Sequence, residues 1–478
     1  MKTNGFARMV LATGLSATAA AAAGCAKVLI PPYEIPSVHS GWEAQLVVGG
    51  LTKPRSIEFD SSGALLVVES GKGLTRHKLT DNGGTCVAVS DSTLLISQTS
   101  LNHGLALSTD GKTLYASTVE AVYAWAYDAD KGTVSATPRV IVNNMSNNDL
   151  VTRTLLISRK EADKLVVSRG SSEGNEVKAA VLSSGLSQVR AFDLSNFTTN
   201  SKPYNFNTEG VVLGWGLRNS VGIGEHPVTG GIYGVENSVD GVTRNNKDIH
   251  ENNPGEELNF FGYLNGTKTG GNYGYPHCFA VWEPTEIPDH DGLGVGDQFA
   301  VQENNTLSDE VCAKDFIAPR LTFPAHYAPL DIKFNKDGSE AYVSFHGSFD
   351  KTDPVGYRLA SLAFDPATGE PEAPSDALNA LTDIISNNNH NVCPGGCFRP
   401  VGLAFDTTGR LWMTSDTTGE IYVLQKKAGS PTATASGTIV TATGAPSSGA
   451  GIGAGWGWEV RLLGWGSLAF VGGFLALV

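Results

Sequence analysis

From Asn102 to Thr118 the chain reads NHGLALSTDGKTLYAST: an apolar run (Leu105, Ala106, Leu107), a Ser-Thr-Asp-Gly turn, then a second run (Leu114, Tyr115, Ala116). Two short apolar segments joined by a polar, glycine-containing turn predict a β-hairpin. The same form recurs at 55–68, 153–167, 221–233, 330–343 and 401–412, making six copies. The first three start about 50 residues apart, and later spacings widen around inserted loops. A period of that size, with several short strands per unit, predicts an all-β, six-bladed β-propeller with four-stranded blades. Five or seven blades stay open, because the copies are only loosely alike. Long amphipathic helical periods are scarce, which argues against an α/β barrel.

The ends of the 478-residue chain have a different pattern. Residues 1–23 carry a short basic start (Lys2, Arg8), an apolar stretch and a closing alanine run, the composition of a secretory signal peptide. Residues 24–426 are expected to form the propeller, and 427–448 a linker rich in Ser, Thr, Gly and Ala that cannot bury a core. Small residues at Ser447-Ser448-Gly449, a spacer and an apolar tail from Leu462 to Val478 make 449–478 a GPI-anchor propeptide. A tail-anchoring transmembrane helix is the alternative. The expected location is therefore extracellular, at the cell surface, with contact to the membrane through the anchor.

The cysteines suit that compartment. Six are present, an even count in a chain bound for an oxidising space. Cys393 and Cys397 close a small loop, Cys278 and Cys312 flank a polar excursion, and Cys25 and Cys86 are left to tie the N-terminus to the first blade. Sequons at Asn144, Asn196, Asn265 and Asn304 fit a secreted glycoprotein.

Charge sharpens the picture. The formal net charge of −14 argues against a nucleic-acid partner. Yet when the copies are aligned on their apolar pairs, Arg55, His103 and Arg153 fall in one column ahead of the inner strands, with Arg218 and Arg399 a residue or two away. In a propeller that column is the channel mouth. Four guanidinium groups converging there require a negative partner, and their planar forks suit carboxylates. A flat ligand with several carboxylates is one reading. The other is that each arginine pairs with a nearby acid such as Glu58 or Glu69.

The fourth copy carries the most specific motifs: GLRN at 216–219, Glu236-Asn237-Ser238, EELN at 256–259 and NYGYP at 272–276. HYAPL at 326–330, FHGS at 345–348, GYR at 356–358 and FRPVGL at 398–403 follow in order. This succession resembles the soluble glucose and sorbosone quinoprotein dehydrogenases, and GLTKPRSIEFD at 50–60 with the cysteine layout resembles most closely the fungal PQQ-dependent pyranose dehydrogenases. The resemblance covers 41–424 and implies pyrroloquinoline quinone (PQQ) over the channel, with calcium beside it.

It further implies that His103 is the base that takes the proton of a sugar's C1 hydroxyl, at a pKa suited to the task. Arg218 would stabilise charge developing on the quinone, and Arg55, Arg153 and Arg399 would hold the carboxylates. Asn219 and His326 join the expected cofactor contacts. The calcium position falls at Asn237 and Ser238 through hard backbone oxygens. His250, His277 and His346 are expected to be structural or wall residues. Two departures from the pattern are Phe349-Asp350 in place of Trp-Asn and Asn237-Ser238 in place of Gly-Pro.

The expectation is thus an extracellular PQQ- and Ca2+-dependent dehydrogenase of a small pyranose or aldose. It would pass electrons to a separate acceptor, since the chain has no CxxCH heme motif. A non-catalytic surface propeller that binds glycans or proteins, and a metal-dependent lactonase, are the alternatives.

Overall fold

The structure, a computed structural model, describes residue 25 and residues 28–267 and 270–429. The expected signal peptide, nearly all of the expected linker and the expected anchor propeptide lie outside the described residues.

Six antiparallel sheets stand around one axis. Blade 1 is formed by Pro54–Phe59, Leu65–Glu69, Gly73–Asp81 and Val87–Ile96. Blade 2 is formed by Leu105–Leu107, Thr113–Ser117, Val122–Asp128 and Arg139–Asn143, and blade 3 by Leu155–Ile157, Lys164–Arg169, Gln188–Asp193 and Val211–Trp215. Blade 4 holds Ser220–Glu225, Gly231–Glu236, Glu256–Tyr263 and Leu321–Phe323. Blade 5 holds Pro329–Phe334, Glu340–Phe345, Arg358–Ala363 and Thr382–Ser386. Each of the six sequence copies falls on the first two strands of one blade. The expected blade count and strand count both hold.

The ring closes in a way the copies do not reveal. Blade 6 takes Pro400–Phe405, Leu411–Ser415 and Glu420–Lys426 from the end of the domain, and its outer strand, Trp42–Val48, from the beginning. The two ends of the propeller are thereby joined by backbone hydrogen bonds.

Strand periodicity explains the packing. Successive side chains point to opposite faces, and here both faces are covered by neighbouring blades. In Leu65-Leu66-Val67-Val68 the odd positions pack toward blade 6 with Trp412 and Ile421, and the even positions toward blade 2 with Leu105 and Leu114. Each blade–blade seam has its own apolar cluster of this kind, six in all. Each fully buried aliphatic side chain contributes roughly 1.5–3 kcal/mol. No single seam therefore dominates.

The widened spacing in blade 4 is an insertion between its third and fourth strands. It holds a two-stranded ribbon (Cys278–Ala280 with Gln298–Ala300) and the helix Asp309–Asp315, tied together by the Cys278–Cys312 disulfide. Cys25–Cys86 and Cys393–Cys397 are also bonded, so all three expected pairs form. Among the described residues no helix is long and apolar enough to cross a membrane.

Candidate active site

In an antiparallel blade the first strand starts where the second strand ends. Both segments therefore lie at the same end of the channel, and the candidate residues come from these two places. Arg55 and Arg399 stand at the starts of the first strands of blades 1 and 6, and His103 stands just ahead of that of blade 2. His346 and Asp416 follow the second strands of blades 5 and 6, and Asn237, Ser238 and Asp240 follow that of blade 4. Val221, Leu330 and Val401, near the starts of the inner strands of blades 4, 5 and 6, form a small buried apolar cluster that joins these three blades.

Glycines let the inner strands approach. A Cβ on Gly104 would sit 2.1 Å from the Arg153 carbonyl, and one on Gly402 would sit 2.4 Å from that of Arg55. This is the reason glycine follows His103: blade 2 can meet blade 3 only if that position has no side chain.

One arc of the site runs across blades 5, 6, 1 and 2. Asp416 bridges two partners, its Oδ2 accepting from Arg55 Nη1 at 2.5 Å and its Oδ1 from His346 Nε2 at 2.8 Å. Arg55 Nε donates to His103 Nδ1 at 3.2 Å, and Arg55 Nη2 is buried with no partner. Arg399 donates from Nε to the His346 carbonyl and from Nη2 to that of Gly347, with its guanidinium near the Tyr357 ring. Burial lowers the His346 pKa to about 4, with Arg399 and Arg55 adding to it against the opposing pull of Asp416. His346 is therefore neutral at pH 7. Burial, then the Arg55 charge, holds His103 well below the ordinary imidazole range. Burial alone would raise Asp416, but His346, Arg55 and Arg399 together keep it far below the usual carboxylate range. With both imidazoles neutral, the arc carries two guanidinium charges against one carboxylate.

A second arc lies on blades 3, 4 and 5. Arg218 donates from Nε to the Gly174 carbonyl, from Nη1 to that of Ser238 at 2.5 Å, and from Nη2 to Asp240 at 2.8 Å. His326, in the left-handed region at φ 66°, bonds the His250 carbonyl through Nε2 at 2.6 Å and faces Asp240 through Nδ1 at 3.6 Å. Burial works against its charge, but Asp240 and that carbonyl outweigh it, so the His326 pKa is raised. Buried carboxylates hold the loops in place. Glu236 accepts from the Arg218 backbone N–H, and Glu256 from those of Ser238 and Ala328. The arcs join where the His346 N–H bonds the Ala328 carbonyl.

The structure brings together most of the expected residues. His103, Arg55, Arg399, Arg218 and His326 all belong to this hydrogen-bonded belt. Asn219 is buried beneath it and accepts from the Asn237 N–H through its carbonyl. Arg153 is a correction. It is fully buried, its Nη1 and Nη2 donate to the carbonyls of Leu150, Thr152 and Met145, and its Nε, though unpartnered, is enclosed with them. Enclosed this way, it offers no fork to a ligand; it ties down the loop ahead of its own strand.

The acids offered as partners were also the wrong ones. Glu69 bonds Lys72, Thr75 and the Thr52 N–H, while Arg55 pairs with Asp416 and Arg218 with Asp240. Asp416 lies in a Ser-Asp-Thr-Thr-Gly turn that has the look of a solvated loop. The available signal was its place: a carboxylate just past a second strand returns to the mouth where the arginines start. His346, expected only as wall, bonds Asp416 directly.

A family model described as TrAA12-like matches residues 36–427, nearly the whole propeller. The chain belongs to the TrAA12-like family. Among its relatives is a Hypocrea jecorina protein named pyrroloquinoline quinone-dependent sugar dehydrogenase. That protein is 50% identical over 400 residues, covering 83% of this chain and 90% of its own length. A structure described as the calcium structure of Trichoderma reesei carbohydrate-active enzyme family AA12 is 50% identical, with a TM-score of 0.82 over 84% of this chain and all of its own. A structure described as the holo form of the pyranose dehydrogenase PQQ domain from Coprinopsis cinerea is 35% identical, with a TM-score of 0.79 over 84% of this chain and 99% of its own.

The residues present in this TrAA12-like chain fit PQQ. An orphaned, buried guanidinium nitrogen, one excess positive charge and an apolar cluster at the inner strands are what a flat polycarboxylate asks of a site. Arg55 and Arg399 would hold carboxylates, with Arg218 and His326 on the opposite arc. Calcium fits less well. Asn237 donates its amide to the Pro329 carbonyl at 2.6 Å, and the Ser238 carbonyl is taken by Arg218, whose charge opposes a divalent cation. Among the described residues no group of three or more His, Cys, Asp or Glu is placed to hold a metal ion. As they stand, Asn237 and Ser238 do not form a calcium site.

Proposed function

We propose that this chain is a PQQ-dependent sugar dehydrogenase that oxidises the C1 hydroxyl of a pyranose or aldose outside the cell. The observation that carries the reading is the arc Arg55–Asp416–His346–Arg399 beside His103, in the fold of relatives named for PQQ and sugars. PQQ, when bound, supplies the acceptor for the two electrons and hydrogen leaving the sugar's C1.

The chain's own residues do the rest. Arg55 and Arg399 orient the cofactor through their forks. His103 takes the hydroxyl proton; buried and neutral, it is in its basic form across the physiological range. Arg218, fixed by Asp240 and two carbonyls, presents an immobile positive charge where negative charge develops, so little reorganisation is needed. Calcium enters no step of this scheme. Electrons then leave to a separate acceptor.

Secretion and surface anchoring rest on the sequence of the two ends and on three disulfides suited to an oxidising compartment. All four sequon asparagines are exposed, as glycan attachment requires. Expression with both ends intact should place the protein on the cell surface, releasable by phosphatidylinositol-specific phospholipase C; retention inside the cell would end that part of the reading.

The test of activity is direct. Purified protein is loaded with PQQ, and dye reduction is followed across a panel of pyranoses. Saturable PQQ uptake, seen as an absorbance change and a thermal shift, together with sugar-dependent dye reduction is expected. Absence of uptake would overturn the enzyme reading and favour the glycan- or protein-binding propeller.

A further inference from the structure

Arg55 has three kinds of donor, and each is in a different state. Nη1 is held by Asp416 at 2.5 Å, Nε points at His103 Nδ1 at 3.2 Å, and Nη2 is buried and unpartnered. A guanidinium is always protonated, so the nitrogen receiving its N–H must be the bare one. Neutral imidazole has a single basic lone pair. On His103 that lone pair lies at Nδ1 and is occupied by Arg55; the other nitrogen, Nε2, carries the proton. In this arrangement His103 has no free lone pair with which to accept a proton.

The geometry of the fork suggests how the lone pair is freed. A carboxylate grips arginine through two adjacent donors, either Nη1 with Nη2 or Nε with Nη2. Both edges share the unused Nη2, but Nη1 is held by a charged carboxylate at 2.5 Å and Nε only by a neutral imidazole at 3.2 Å, so the edge an incoming carboxylate can claim is Nε with Nη2. An incoming carboxylate seated on that edge takes the Nε–H away from His103. We infer that Arg55 is a ligand-operated lock on His103, capping the base until a carboxylate of the bound cofactor claims the Nε–Nη2 edge. No proton is gained or lost in the release: a hydrogen bond to Nδ1 is exchanged for one to the carboxylate, and the proton on Nε2 stays on the ring or moves to Nδ1 through solvent. Arg55 is thus a positioning residue that acts through His103, and Asp416 leaves it only the productive edge. The inference rests on the PQQ reading above.

The test reads the imidazole directly. Protein labelled with 15N-histidine is examined by NMR, with His103→Gln used to assign the resonances among the ten histidines. Without ligand, His103 should show a bare, hydrogen-bonded Nδ1 and a protonated Nε2. Saturation with PQQ, followed separately by its absorbance, should shift the Nδ1 resonance to that of an uncapped or protonated nitrogen. Arg55→Leu should show the uncapped signature without ligand and no further change with it; should that variant not fold, the wild-type comparison decides alone. A protonated Nδ1 in the ligand-free protein, or an unchanged His103 in a saturated complex, overturns the lock and leaves the dehydrogenase reading standing. Absence of PQQ uptake overturns both.

Discussion

Arg55 and Asp416 lie 361 residues apart and meet at 2.5 Å, Nη1 to Oδ2, across the seam where the propeller closes. Both side chains are largely withdrawn from solvent, so the pair is a buried one, and its consequences differ from those of a surface ion pair.

Neutralising the acid separates the two roles of this pair. Asp416→Asn leaves Arg55 and Arg399 with no charge between them, and loss of one partner of a buried pair costs about 3–5 kcal/mol. The thermal midpoint should fall, while folded protein should take up PQQ at least as tightly, because the arc is more positive. Calorimetry and titration check this; a tenfold loss of affinity would contradict it.

His103→Gln should retain PQQ and lose turnover by a factor of roughly 10²–10⁴, the usual contribution of a general base. In the wild-type protein, burial and Arg55 depress the His103 pKa. The acid limb of kcat/KM should accordingly lie well below pH 6.5. A limb at or above the ordinary imidazole value would show that another group titrates.

Arg153→Met is predicted to act on stability alone. It removes a charged donor from three backbone carbonyls, for a loss on the order of 3 kcal/mol. PQQ affinity of the folded variant should match that of the wild type. A selective loss of affinity would return Arg153 to the cofactor site.

The contribution of three buried glutamates to stability should decline as pH rises from about 4.5 to 8. Glu256 and Glu257 are fully buried and raised to about 7, burial being the main cause, and Glu236 is raised further. A carboxyl group whose pKa is higher in the folded state stabilises the fold below its unfolded value, near 4.3, and that contribution is lost as pH climbs through the folded value. Glu257→Gln should therefore raise the thermal midpoint at pH 8 more than at pH 5. Equal effects at both would argue that Glu257 is ionised throughout.

How much of this was legible in advance can be judged from particular residues. The six hairpins, such as 55–68 and 401–412, were visible because strand periodicity and turn chemistry are local properties. His103, Arg55 and Arg399 were visible for the same reason: each stands ahead of a recognisable strand. The directions of their side chains were not. Arg153 shares the column of Arg55 and His103 yet turns into its own loop, because where a guanidinium goes depends on which unpaired carbonyls surround it.

The sequence alone determined the architecture, the pairing of its cysteines, and the segments that bear the site, all of which follow from patterns within a few dozen residues. Only the tertiary structure decided that Asp416 pairs with Arg55, that His346 completes the bridge, and that the first strand of the domain closes the last blade. These are contacts between segments hundreds of residues apart. They form because ring closure returns both ends of the propeller to one seam, where buried charges must find partners, and periodicity along the chain carries no record of that distance.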